Sequence, residues 1–325
     1  MAPPDKGALF CRSQADSLTD SNEPRPGMHA ADPAPRGPSQ RRTRALRWTL
    51  LALFTCFGIG WALAVVGISR NMRLPVDERW AGSGMLILEG VIALLWIVIA
   101  YTWRHAVRFA LVVLPSAFVI ELIGVTTGFP FGPYHYTDAL APSIAGRVPA
   151  PITFAWLMIA LGTLATATWI VQCEKPWAVI PVAALLATGL DACLEPTAYH
   201  VKAYWLWETS GRYYGVPAMN FLGWLFTAAF VTALAASVLR RSETMTRPAF
   251  VFVPISLYWA TVLMFAIIDG FRGYPVGTAI GGALCFMALL PLRRWRRVRR
   301  ALSSGRPDPS TPSHHAHATA PNSQE

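Results

Sequence analysis

Five carboxylic acids interrupt otherwise apolar stretches of this 325-residue chain: Glu89, Glu121, Asp191, Glu195 and Asp269. An acid at the centre of a membrane span costs about 3 kcal/mol on insertion scales, so each is a candidate for function. Asp191 and Glu195 stand four residues apart, and a helix projects both from one face within reach of one another. Two carboxyls in one low-dielectric site do not both ionise easily, so one keeps its proton. A neutral carboxylic acid held at neutral pH is suited to protonating an alkene. The same pair could instead bind a divalent cation, but the sequence has no second acid-rich D-D-x-x-D motif to hold magnesium and a prenyl diphosphate. Pro196 follows the pair and is expected to kink or end the helix, freeing carbonyls that line a cavity rather than face lipid. Asn220 offers an amide to an acid or a water. Glu89 and Asp269 are explained equally well as markers of helix ends near the interface, where charge is cheap.

The elements that must position these acids are membrane helices. Hydrophobic residues make up 54% of the chain and charged residues 14%, and mean hydropathy is +0.38, more apolar than a soluble core requires. Windows of about 20 residues, the length needed to cross a bilayer, fall near 46–68, 84–103, 108–126, 151–171, 177–199, 218–239, 249–268 and 274–292. The predicted fold is therefore all-α, a polytopic bundle of about eight spans. The formal charge of +10 does not suggest a nucleic-acid groove, because the cations sit in short runs beside the spans, as at Arg41, Arg42, Arg44 and Arg47, or from Arg293 to Arg300. With a cytoplasmic N-terminus, sixteen flanking Lys and Arg lie inside and seven outside, so both termini are expected in the cytoplasm. Glu89 then lies early in an inward span, the other four acids lie late in outward ones, and all five fall in the outer half.

Residues 1–45, a basic tail, and 304–325 are rich in Pro, Ser and Ala and are expected to be disordered, leaving 46–303 as the transmembrane domain. No cleavable signal peptide is evident, and the first span can serve as the targeting signal. Cys11, Cys56, Cys173, Cys193 and Cys285 show no C-x-x-C spacing and read as small packing residues. His314, His315 and His317 in the C-terminal tail are more simply incidental than a metal site.

Two loops on the predicted outer side are dense in aromatic and turn residues: Phe129 to Tyr136 in one, Tyr199 to Tyr214 in the other. A single Trp or Tyr there belongs to the interfacial belt, but this concentration beside Gly and Pro suggests a built site. His135 and His200 read as hydrogen-bonded loop residues. The segments ELIGVTTGFPFGPYHYTDALAP (121–142) and LDACLEPTAYHVKAYWLWETSGRYYGVPAMNFLGW (190–224) resemble the paired signatures of the CruF-type carotenoid biosynthesis proteins, a family of membrane-embedded carotenoid hydratases.

The resemblance implies addition of water across the terminal 1,2 double bond of an acyclic ψ-end group, with neither a cofactor nor a metal. Asp191 or Glu195 would deliver a proton to carbon 2, and Glu121 would take one from the attacking water. Substrate contacts are expected from Phe131, Tyr134, Tyr136, Trp205, Trp207, Tyr213, Tyr214, Asn220 and Trp224. The expected partners are a lipid-soluble polyene, water and membrane lipids, with association among membrane enzymes of the same pathway a further expectation. The expected location is the cell membrane. Rival readings are a carotenoid cyclase or isomerase that excludes water from the same cation, and a transporter with a proton relay, which needs acids across the whole thickness. The sequence has no G-x-G-x-x-G start for a nicotinamide or flavin fold, and no lysine in the late spans for a retinal Schiff base.

Overall fold

The computed structural model describes residues 38–72, 77–172, 175–239, 252–287 and 289. The expected tails, up to residue 37 and from 304 on, lie outside them, as do Cys11, Cys173 and the C-terminal histidines. Among the described residues seven helices are long and apolar enough to cross a membrane: α1 (Pro38–Ser69), α2 (Glu78–Ala100), α3 (Trp103–Thr127), α4 (Ala150–Val171), α5 (Pro176–Glu195), α6 (Ala218–Leu239) and α7 (Phe252–Arg272). A shorter apolar helix, α8, follows at Pro275–Met287. The chain is thus an all-α polytopic membrane bundle, because in lipid only a helix satisfies its backbone groups within one segment.

Sequence chemistry sets the ends. Asp77 caps α2 by accepting from the Arg79 amide at 3.0 Å, so the helix starts at Glu78, well before the expected 84. Likewise α1 begins at Pro38 and takes in 38–45, where Pro stands in a first turn that needs no N–H and the arginines favour helix. Gly128, at φ 76°, closes α3 in the left-handed conformation. Pro196 cannot donate an amide, and α5 passes there into a π turn, Pro196–Val201, instead of stopping.

The core lies around α4, whose Trp156, Leu157 and Ala160 are buried and which packs against α2, α3, α5, α6 and α7. Helix α1 lies at the edge against α2 and α7, pinned where the Trp61 indole donates to the Ala260 carbonyl at 2.6 Å. Leu63, Leu111, Leu185, Phe226 and Phe230 face outward, the apolar coat a lipid environment demands.

The two aromatic loops are not irregular. Strand β1 (Tyr134–Tyr136) pairs antiparallel with strand β4 (Trp205–Trp207), setting Tyr134 opposite Trp207 and Tyr136 opposite Trp205. Strands β2 (Ser143–Ile144) and β3 (Val148–Pro149) close a small hairpin between them. The loop that leads into β1 rests on α6 at Gly223, where an added Cβ would come within 2.7 Å of the Phe131 ring and the Pro130 carbonyl. Gly223→Ala is expected to lower stability by about 1–3 kcal/mol through this overpacking, read as a drop in the thermal unfolding midpoint of detergent-solubilised protein; an unchanged midpoint would refute the close seat.

Candidate functional site

Side chains of a strand alternate between faces, so Tyr134 and Tyr136 share one face of β1, and Trp205 and Trp207 one face of β4. That face points into the bundle. His135 and Leu206 point away and are exposed, His135 within 3.4 Å of Glu208. The inward polar atoms reach two glutamates. Tyr134 and Tyr136 each donate a phenol O–H to Glu121 Oε2 at 2.8 Å. Trp205 and Trp207 each donate an indole N–H to Glu195 Oε2 at 3.2 Å. Burial, then the Glu121 carboxyl beside them, pushes both phenols well above their ordinary range, so they stay protonated and act as donors.

Each glutamate takes a third neutral donor. Trp156 reaches Glu121 Oε1 at 3.2 Å, and Asn220 reaches Glu195 Oε1 at 3.1 Å. The Asn220 amide nitrogen also donates to Asp191 Oδ2 at 2.7 Å, linking the two acids of α5. Asp191 Oδ1 is buried with no partner. Glu121, Asp191 and Glu195 are all buried.

These groups border a cavity of about 100 Å³, lined with Leu86, Phe131, Ile159, Leu194 and Phe265 beside the polar residues. Of the expected site residues, Glu121, Glu195, Phe131, Tyr134, Tyr136, Trp205, Trp207, Asn220 and Trp224 line it together. Asp191, Tyr213 and Tyr214 are not among the lining residues. Asp191 stands behind Asn220. Tyr213 donates to the Ala192 carbonyl at 2.6 Å, and the Tyr214 hydroxyl accepts from the Val276 amide at 3.1 Å, so these two tie α5 and α8 to the loop.

Sequence reasoning passed over Trp156, which stacks on Trp224 with ring centroids 4.9 Å apart. A signal was present, since an indole N–H deep in a span must find an acceptor. Glu89 also lines the cavity. Because α2 starts at Glu78, Glu89 is the twelfth of its 23 residues and sits at mid-helix, not early in the span. Asp269 accepts from Thr197 at 2.7 Å and is outside the lining. Among the described residues no three His, Cys, Asp or Glu side chains are grouped as a metal site would need.

A family model described as "Carotenoid biosynthesis protein" matches residues 82–288. The chain is similar to bisanhydrobacterioruberin hydratase of Haloarcula japonica strain TR-1, at 30% identity over 117 residues. That alignment covers 35% of this chain and 39% of the relative's length. No solved structure matches.

Proposed function

The chain belongs to the carotenoid biosynthesis protein family, and from that premise we propose that it is a hydratase adding water across the terminal 1,2 double bond of an acyclic carotenoid. One observation carries this reading: two buried glutamates, each held by three neutral donors, line one aromatic-walled cavity.

Glu121 shares none of its three donors with another acid, so it suits the carboxylate that accepts a proton from water, whereas Glu195 shares the Asn220 amide with Asp191, a second acid on the same helix. Asp191 and Glu195, joined through Asn220, share one proton, and Glu195 is the member with access to the cavity. Its proton goes to carbon 2 of the alkene, and the π pair becomes the new C–H bond. The tertiary cation left at carbon 1 lies among faces of Trp and Tyr, which favour positive charge. Water bonds to carbon 1 and gives its extra proton to Glu121, which later returns it to the α5 pair. No electrons are exchanged. The polyene enters from the bilayer with its end under the β1–β4 ribbon.

A cyclase or isomerase would need the same acid and cation and also a base for its final proton loss, so what favours hydration is the similarity to a relative named as a hydratase. A transporter relay needs buried carboxyls beyond mid-membrane; among the described residues they stop at Glu89.

The test is expression in a host that makes lycopene, with mass analysis of the pigments. A gain of one water at an end group supports hydration; an unchanged mass with new rings supports cyclisation, and unaltered pigment overturns both. A companion prediction concerns the donors. Trp207→Phe removes one N–H from Glu195, and hydration should fall roughly 10-fold or more, while wild-type rates in both Trp205→Phe and Trp207→Phe would remove the ribbon from the mechanism. The cation count of the sequence favours the non-cytoplasmic face for the ribbon, and the proposed location of the chain is the cell membrane. A cysteine introduced at the exposed Glu208 should therefore react with an impermeant maleimide in intact cells; reaction only after lysis would reverse the orientation.

A further inference from the structure

The mechanism above leaves one carboxyl of the cavity unused. Glu89 is 2% exposed and lies at the middle of α2. Its Oε1 is 2.9 Å from the Thr261 hydroxyl, at the middle of α7, and its Oε2 is buried with no partner. Both residues line the same cavity as Glu121 and Glu195, among Leu86, Met158 and Phe265. An unpaired carboxyl oxygen in such surroundings is costly, and more so if it is charged.

Thr261 is compatible with either protonation state of Glu89. Its hydroxyl can donate to Glu89, or donate to the Leu257 carbonyl at 3.0 Å and accept from a protonated Glu89. The missing partner of Oε2 must be equally versatile, donating to a carboxylate or accepting from an acid. An O–H group does both.

We propose that Glu89 and Thr261 form a second polar site on the cavity wall, where Glu89 Oε2 binds an O–H group carried either by the reacting end of the polyene or by a water molecule. The proposal rests on the hydratase reading for the identity of the polyene. A substrate hydroxyl bound there would make Glu89 a specificity determinant, selecting end groups that already carry one oxygen. A water bound there would make it a positioning residue for the nucleophile.

The test compares two polyenes, one with an unsubstituted ψ-end and an analogue with an added hydroxyl on the same end group. Each is titrated into wild-type and Glu89→Met protein in nanodiscs, with affinity read from the polyene absorption and turnover from product mass. If the substrate supplies the O–H, wild type binds the hydroxylated analogue about 10-fold more tightly and Glu89→Met loses that preference. If water supplies it, affinities hold while turnover of both polyenes falls alike, and Glu89→Gln, which still hydrogen-bonds, restores part of the rate. Wild-type affinity and turnover for both polyenes in Glu89→Met would overturn the proposal. Should Glu89→Met fail to accumulate, infrared difference spectra of wild type and Glu89→Gln decide. Adding the polyenes should shift a carboxyl band that Glu89→Gln lacks, and no shift overturns the site. A wild-type protein that binds both polyenes but hydrates neither would remove the hydratase reading and leave the binding site standing.

Discussion

Glu195→Gln should abolish hydration, lowering the rate by about 10³-fold, within the 10²–10⁴ that a positioned general acid contributes. The amide has nearly the shape of the acid but no proton to give. Its oxygen can still accept from Trp205 and Trp207, whose N–H groups both meet Oε2. The new NH₂ then faces the Asn220 amide nitrogen, where Oε1 now accepts at 3.1 Å, and Asn220 must turn or lose a contact. That adjustment is local, so the variant should still insert in the membrane and bind polyene within a few-fold of wild type. Asp191→Asn should cost less, near 10-fold, because Asp191 stands behind Asn220 and acts on the reaction only through the shared proton. The assay is product formed from a ψ-ended polyene in isolated membranes, normalised to protein. More than a tenth of the wild-type rate in Glu195→Gln would remove it as proton donor, and a larger loss in Asp191→Asn would transfer the role to Asp191.

The bundle was largely legible in the sequence, since a span of about 20 apolar residues is a direct consequence of bilayer thickness. What hydropathy cannot see is a cap. Asp77 starts α2 among polar residues, and the missing turns displaced Glu89 from mid-helix to a span end, where an acid needs no explanation. The expected eighth span is described only over Pro275–Met287. In the site, the i, i+4 spacing of Asp191 and Glu195 and the aromatic loops drew attention to the right region. The spacing does not reveal which acid faces the cavity, because Asn220 comes from a separate helix and shields only Asp191. The β1–β4 ribbon was not legible. Y-H-Y and W-L-W are three-residue alternations about 70 positions apart, too short to signal strands, and their pairing is a property of how α3 and α5 bring the loops together. Tyr213 and Tyr214, as aromatic as their neighbours, lie beyond the paired residues and bond the backbone at Ala192 and Val276, outside the lining.

Glu121→Gln should also stop hydration, by roughly 10²–10⁴-fold, but with a different signature, and the difference separates base from acid. Two phenols meet Oε2 and one indole meets Oε1. A glutamine can satisfy the phenols with its oxygen while its NH₂ opposes Trp156, or the reverse with the hydroxyls rotated, so the fold should survive. Without the carboxylate, water that reaches the cation has no acceptor for its second proton. Protonation at carbon 2 by Glu195 remains intact, however, and the cation can relax by returning a proton from carbon 2 to Glu195. In deuterated buffer each such cycle can leave a deuterium on recovered, unhydrated polyene. Glu121→Gln should therefore wash deuterium into the end group without making alcohol, whereas Glu195→Gln should do neither. Mass spectrometry of the recovered polyene reads both outcomes together. Loss of exchange as well as hydration in Glu121→Gln, with exchange retained in Glu195→Gln, would reverse the two roles. Wild-type hydration in Glu121→Gln would remove the carboxylate from the reaction, leaving its three donors as a purely structural clasp between the ribbon, α3 and α4.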